Sequence, residues 1–210
     1  NLEFDEEQMG QILVSNFGDF PTIEPDSIAI FSVPEFRGDS NETKIESETY
    51  FRKELLKLSR SKNWKRKIYD LGTIVPGENL NDTYFAISNV TSELIKNRII
   101  PILVGGSQDL IVATHDAYAK LEQLLNICSI DHSLDLGTPE GEVASNSYLT
   151  SLMLKRPCYL FNHANIGLQI PYAQPKELKL IESLYFDNYK SQMYADSEEG
   201  CSPRKKIRVK

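Results

Sequence analysis

The chain has 210 residues, a formal net charge of -7, 40% hydrophobic residues and 25% charged residues. These proportions are typical of a globular domain and exclude a disordered chain or a coiled coil, and no apolar run approaches the roughly 18 residues of a membrane span. Because an acidic protein repels phosphate backbones, we expect no nucleic-acid partner and no membrane partner. No secretory or transit segment opens the sequence and its three cysteines are widely spaced, so we expect a cytoplasmic protein with free thiols.

Apolar runs and helical periodicities alternate along the chain. Short apolar runs predict strands at residues 27–33, 67–71, 99–104, 126–130 and 158–161. Helical spacing predicts helices at residues 47–58, from Asn81 or Asp82 to 97, and at 109–125, 149–154 and 175–184. Residues 1–25 have no firm period and stay unassigned. The alternation predicts a three-layer α/β/α fold with a mostly parallel sheet, in which ligands bind at the carboxyl ends of the strands.

The first predicted helix has Tyr50, Phe51, Leu55 and Leu58 on its apolar face. Cys128 lies inside an apolar strand, where we expect it to pack rather than to react.

Polar clusters follow two of the predicted strands. The first is Gly105-Gly106-Ser107-Gln108-Asp109, and the second is Asp131-His132-Ser133-Leu134-Asp135. We predict that the glycine pair forms a tight turn rather than a nucleotide site, because neither a Walker lysine nor a third glycine follows it. Asp109 is expected to cap the next helix.

His115 and His163 are the histidines outside these clusters. Neither has a Ser or Cys partner at a recognisable spacing, so we predict no catalytic triad.

The string PILVGGSQDLIVATHDAYAKLEQLLNICSIDHSLDLGTP resembles the ureohydrolase family of arginase, agmatinase and formimidoylglutamase. Members carry Gly-Gly-Asp-His after one strand, then a helix, a strand and Asp-Ala-His-x-Asp. The resemblance covers about residues 28–186 and is greatest for the formimidoylglutamase-like branch. It implies an arginase-like fold, and hydrolysis of a C–N bond in a linear amidine, a guanidino or formimino compound, by a hydroxide that two manganese ions share.

The resemblance assigns a role to individual residues. Asp131 and Asp135 match the two carboxylates of the second motif and are the expected metal ligands. At the other motif positions, Gln108 and Ser133 replace metal-binding histidines, Ser107 replaces an Asp, Asn146 matches a substrate-contacting Asn, and Tyr148 replaces a His that assists proton transfer. The family's last motif, Ser-x-Asp-x-Asp, is absent, so two of six expected ligands remain. The implied substrate pocket is therefore lined by Gln108, Ser133, Asn146 and Tyr148, and no catalytic residue is assigned.

We expect one arginase-like domain over residues 1–195 that is incomplete at its C-terminal end, because family members continue beyond this length. Residues 196–210 are expected to be a basic tail that is disordered or foreign to the domain; the last ten residues hold five of the 23 basic side chains. The resemblance also implies a homo-oligomer.

Two functions stay open. One is metal-dependent hydrolysis of a linear amidine by a chain with a depleted metal site. The other is a catalytically inactive arginase-fold protein that binds a small ligand or a protein partner.

Overall fold

The computed structural model describes residues 4–15, 21–39, 47–138, 143–172 and 206–209. The chain divides into two compact units, Asn1–Ala117 and Tyr118–Lys210. The strands are β1 (Leu13–Ser15), β2 (Ile28–Ser32), β3 (Ile68–Thr73), β4 (Ile100–Val104), β5 (Leu125–Ile130), β6 (Leu160–Ile166) and β7 (Lys206–Val209). The α-helices are α1 (Ser47–Lys57), α2 (Leu80–Lys96), α3 (Ile111–Lys120) and α4 (Tyr148–Leu154). Parallel strands connected by helices confirm the predicted α/β class.

The first unit is built on a parallel sheet with strand order β1-β3-β2-β4. Strand β2 lies between β3 and β4, and its residues Ala29, Ile30 and Phe31 are buried. Such a strand has neighbours on both edges and covered side chains on both faces, so its sequence is a continuous apolar run. The sequence predicts this pattern here. Strand β1 pairs with β3 in the stretch that the sequence left unassigned.

The N-cap residue of helix α2 lies two or three residues earlier than predicted. Asn79, rather than Asn81 or Asp82, is the N-cap residue: its side chain accepts from the Asp82 backbone N–H, and the Asp82 carboxylate accepts from the Asn79 backbone N–H. This reciprocal pair is a capping box. The buried residues Tyr84, Ile87 and Leu94 then face the core at helical spacing.

Helix α1 is held by a charged side chain more than by the apolar face that the sequence predicts. On that face, Tyr50 is 71% exposed and Leu58 is 56% exposed. Arg52 instead donates from Nε and Nη2 to the two carboxylate oxygens of Asp70, at 2.8 and 3.0 Å. It also donates from Nη1 to Ser32 Oγ, at 2.9 Å. This bidentate pair ties the helix to the ends of β2 and β3.

The turn after β4 is as tight as the glycine pair predicts. Gly105 and Gly106 have φ angles of 90° and 78°, a region that favours glycine. A Cβ on Gly106 would lie 2.3 Å from Leu110 Cδ1 and 2.7 Å from the Glu35 carbonyl oxygen. The turn therefore lets the chain pass directly against the loop that follows β2.

Asp109, which follows this turn and was predicted to cap a helix, has a different role. Ser107 is the N-cap residue of a short 3₁₀ helix, Gln108–Leu110, that precedes α3. Asp109 lies inside that helix, is fully buried, and accepts a hydrogen bond from the Tyr84 hydroxyl. Its carboxylate fills the space where a Cβ on Gly38 would stand. The prediction that Asp109 is the N-cap was wrong, because a buried hydroxyl donor binds the carboxylate instead.

The second unit contains a parallel sheet with strand order β5-β6-β7. The predicted helix at 109–125 ends at Lys120, and the predicted strand at 158–161 is longer and later, at Leu160–Ile166. Cys128 is exposed in β5 rather than packed. The sequence did not predict β7, which pairs with β6. The predicted helix at 175–184 lies outside the described residues.

A membrane-spanning helix is also not found: within the described ranges, no helix combines the length and the apolar character that crossing a bilayer requires.

We predict that Gly106→Ala destabilises the fold far more than Gly72→Ala. Both glycines have a positive φ, but a Cβ on Gly72 meets nothing within 4 Å. The Gly72 variant should lose about 1 kcal/mol of unfolding free energy from backbone strain alone. The Gly106 variant should lose about 3 kcal/mol or more, because two backbone carbonyls and a core leucine must also move. Urea unfolding of both variants measures the difference, and equal losses would contradict the tight packing of this turn.

Candidate functional site

The site is built where strands β5 and β6 of the second unit run side by side. In the parallel ladder, Ile127 is opposite His163 and Ser129 is opposite Asn165. Because side chains alternate between the faces of a strand, Ser129, His163 and Asn165 share one face of the sheet. His163 is 2% exposed and Asn165 is 1% exposed, so this face is a buried polar one.

A chain of hydrogen bonds joins that face to helix α4. Ser129 Oγ lies 3.0 Å from the Tyr148 hydroxyl and 2.9 Å from His163 Nε2. Tyr148 is the first residue of α4 and is 3% exposed. The other ring nitrogen of His163, Nδ1, is buried and has no hydrogen-bond partner among the described residues, and the same holds for Oδ1 of Asn165. Ser129 is 34 residues away in the sequence, so its contact with His163 could not be recognised from spacing. Among the described residues no carboxylate binds His163 Nδ1 to complete a triad.

Burial keeps His163 and Tyr148, the two ends of this series of hydrogen bonds, uncharged at neutral pH. Burial lowers the pKa of His163 from 6.5 to about 4, because the imidazolium ion is poorly solvated there. Burial also raises the pKa of Tyr148, and the negative charges of Asp135 and Asp131 raise it further, while the hydrogen bond with Ser129 lowers it. His163 is thus a neutral imidazole and Tyr148 a neutral phenol.

The two predicted metal ligands lie in the loop that follows β5, on either side of Ser133. Asp131 Oδ1 accepts from His132 Nδ1 at 2.8 Å and from the Ser133 backbone N–H at 3.2 Å. The Ser133 hydroxyl donates to Asp135 Oδ1 at 2.8 Å. Asp135 is buried and has a φ of 53°, in the left-handed region that aspartate adopts more readily than most residues. The loop therefore holds two carboxylates close together.

Three contacts fix this loop to its surroundings. The Asn165 side-chain N–H donates to the Ser133 carbonyl at 2.7 Å. The Gly137 N–H donates to the Asn146 carbonyl at 2.9 Å, and the Gln169 N–H donates to the His132 carbonyl at 3.0 Å. The carboxylates are thus positioned by the neighbouring strand and by the segments that precede α4 and follow β6.

The structure brings together four of the six residues predicted for the site. Asp131, Ser133, Asp135 and Tyr148 lie in the second unit, joined through hydrogen bonds or electrostatic interaction. Asn146 is exposed there, and its main-chain carbonyl makes the contact with the loop. Gln108 is an exposed residue of the first unit.

Three residues of this site were not predicted for it from the sequence: Ser129, His163 and Asn165. A signal for two of them was present: His163 and Asn165 are two residues apart in one strand, which places both on the same face. Neither residue belongs to a motif of the family that the sequence resembles, and the partner of His163 depends on the register between two strands.

The described part of the chain contains no group of three or more His, Cys, Asp or Glu side chains arranged to hold a metal ion.

Several solved structures share the fold of this chain. The formimidoylglutamase of Bacillus subtilis matches with a TM-score of 0.71 and 12% identity, over 100% of this chain and 72% of that one. A Trypanosoma cruzi formiminoglutamase crystallised with manganese matches with a TM-score of 0.70 and 17% identity, over 85% of this chain and 63% of that one. The proclavaminate amidino hydrolase of Streptomyces clavuligerus matches with a TM-score of 0.62 and 14% identity, over 81% of this chain and 58% of that one. The chain therefore has the arginase-like α/β fold of the formimidoylglutamases, as the resemblance implied.

Sequence comparisons give a different and shorter match. A family model described as the VTC domain matches residues 116–210, which is less than half of the chain. No curated protein sequence matches significantly. The structural matches cover four fifths or more of the chain and agree with its parallel strands, so we base the fold assignment on them.

We predict that His163 makes the fold sensitive to acid. A histidine whose pKa is lower in the folded state takes up its proton mainly on unfolding, so its stabilising effect is complete above pH 6.5 and is lost as the pH falls towards 4. A shift from 6.5 to about 4 corresponds to about 3 kcal/mol. Urea unfolding between pH 7 and pH 4 should show this loss in the parent chain and a correspondingly smaller loss in His163→Gln. An identical pH dependence in the two proteins would show that His163 is not a buried neutral imidazole.

Proposed function

We propose that this chain is an arginase-fold protein of the amidine-hydrolase class with a depleted metal site, which binds a small guanidino or amidino cation and does not hydrolyse it. The observation that carries the proposal is the pair of carboxylates, Asp131 and Asp135, held beside neutral hydrogen-bonding groups at the carboxyl ends of parallel strands. Ligands bind at this edge of open α/β sheets.

The charges of the site favour a cation. Asp135 is buried, and the side chain of Asp131 is 11% exposed, so their negative charges act in a medium that screens them less than bulk water does. The neutral imidazole of His163 and the neutral phenol of Tyr148 add no charge. A guanidinium or amidinium group is planar and donates parallel N–H bonds to a carboxylate, which suits such a pair.

The described donor set does not fit the two manganese ions that the fold implies. Manganese prefers carboxylate oxygens together with imidazoles, and a two-cation centre needs more ligands than two carboxylates supply. Ser133 stands where the resemblance places an imidazole, and its hydroxyl already donates to Asp135. One oxygen of Asp131 accepts from two neighbouring protein groups. Hydrolysis of an amidine needs a water that loses its proton near neutral pH, and these residues offer no group that activates one.

The alternative is that the chain keeps the hydrolase activity that the names of its structural neighbours describe. The fold favours this alternative, and the side chains at the site favour binding without hydrolysis. The cytoplasmic location and the homo-oligomer stay predictions, as does the absence of nucleic-acid and membrane partners.

The proposal predicts cation binding that depends on the two aspartates and not on manganese. Calorimetry with agmatine, arginine and formiminoglutamate should detect binding of at least one compound to the purified chain. Asp135→Asn should weaken that binding about tenfold or more, because a hydrogen bond to a charged partner contributes about 1.5–3 kcal/mol. Asp26→Asn is the matched control, since Asp26 is an exposed carboxylate that pairs with Arg98 in the first unit.

Metal content and product release decide between the two functions. The chain is dialysed first against manganese and then against buffer that contains neither manganese nor EDTA. We expect no stoichiometric manganese to remain bound, and no release of urea or formamide from the three compounds. About two manganese ions per chain together with turnover of any of the three compounds would establish the hydrolase and overturn the proposal. Equal affinity of the parent chain and Asp135→Asn would show that the carboxylates do not form the site.

A further inference from the structure

The hydrogen bonds among Tyr148, Ser129 and His163 have a direction, and that direction determines what the site offers a ligand. The Ser129 hydroxyl carries one hydrogen and has two neighbours, the Tyr148 hydroxyl at 3.0 Å and His163 Nε2 at 2.9 Å. A neutral imidazole carries one hydrogen, on either Nε2 or Nδ1. The chain of hydrogen bonds can therefore run from Tyr148 to His163 or from His163 to Tyr148.

If the chain runs from Tyr148 to His163, Tyr148 donates to Ser129 and Ser129 donates to Nε2. The imidazole hydrogen then sits on Nδ1, which is buried and has no hydrogen-bond partner in the part of the chain that the structure describes. A buried N–H without a partner is among the rarest features of native proteins, since its desolvation is not compensated. Nothing among the described residues relieves that cost.

If the chain runs from His163 to Tyr148, Nε2–H donates to Ser129 and Ser129 donates to the Tyr148 oxygen. Nδ1 then carries only a lone pair, and the phenolic hydrogen of Tyr148 is available. The negative charges of Asp135 and Asp131 act on the phenol, so they attract a hydrogen that Ser129 does not accept. Ser129, Asp131 and Ser133 are each partly exposed, which places this polar end of the site next to solvent, where a ligand or water enters.

Both considerations favour the second direction. It avoids a buried imidazole N–H without a partner among the described residues, and it leaves the phenolic hydrogen free to respond to the two negative charges instead of being held by Ser129.

We propose that Tyr148 is the ligand-facing hydrogen-bond donor of the site, oriented by Ser129 and by the Nε2–H tautomer of His163. This inference rests on the proposed binding function and narrows the ligand class. The ligand carries a hydrogen-bond acceptor, such as a hydroxyl or carbonyl oxygen, close to the cationic group that Asp131 and Asp135 bind. Ser129 and His163 are positioning residues, because they act on the ligand through Tyr148.

The tautomer of His163 can be measured without any ligand. Two-dimensional ¹⁵N NMR of the ¹⁵N-histidine-labelled chain at pH 7 distinguishes a protonated from an unprotonated ring nitrogen, and His163→Gln identifies the signals among the three histidines. We expect His163 to carry its hydrogen on Nε2. A hydrogen on Nδ1 would overturn the proposal, whether or not a ligand binds.

The ligand preference is tested with two probes of similar size. Hydroxyethylguanidine has an acceptor near its cationic group and propylguanidine has none. The parent chain should bind the first probe about fivefold more tightly, and Tyr148→Phe should remove this difference while still binding propylguanidine. A preference that survives in Tyr148→Phe would overturn the proposal. Failure of the parent chain to bind either probe would contradict the proposed function. The NMR result by itself would then still decide the direction of the hydrogen bonds.

Discussion

The parallel pairing of β5 and β6 is the constraint on which the candidate site depends. Its register sets Ser129 opposite Asn165 and brings Ser129 within hydrogen-bond distance of His163. The same pairing puts the loop after β5 beside Asn165, whose side chain binds the Ser133 carbonyl. A shift of one residue would turn these polar groups to the opposite face of the sheet, and the two aspartates would lose the neighbours that position them.

The parts of the fold that could be predicted are those that local sequence determines. Strand β2 is a continuous apolar run and α2 has helical spacing, so both were recognised within a few residues. The attachment of α1 could not be predicted in this way, because Arg52 reaches Asp70 in a strand 18 residues further along the chain. Likewise, Asp109 was expected to cap a helix because a short sequence pattern cannot show that Tyr84 provides a buried donor.

The candidate site also has residues that local sequence predicts and residues that only long-range contacts reveal. Asp131, Asp135 and Tyr148 could be predicted for the site because they occupy motif positions of the family that the sequence resembles. Ser129 and His163 were not, since their contact joins two strands whose register the sequence does not reveal. These residues change what chemistry we propose for the site. The family resemblance implies that imidazole ligands are missing, and the structure adds the neutral, hydrogen-bonded group of Tyr148, Ser129 and His163.

The central claim is that Asp131 and Asp135 bind an organic cation directly and not through manganese. Diffraction at the manganese absorption edge, from crystals grown with manganese and agmatine, tests it most directly. The account predicts planar guanidinium density against the two carboxylates and no anomalous signal there. Two anomalous peaks beside those carboxylates would contradict it.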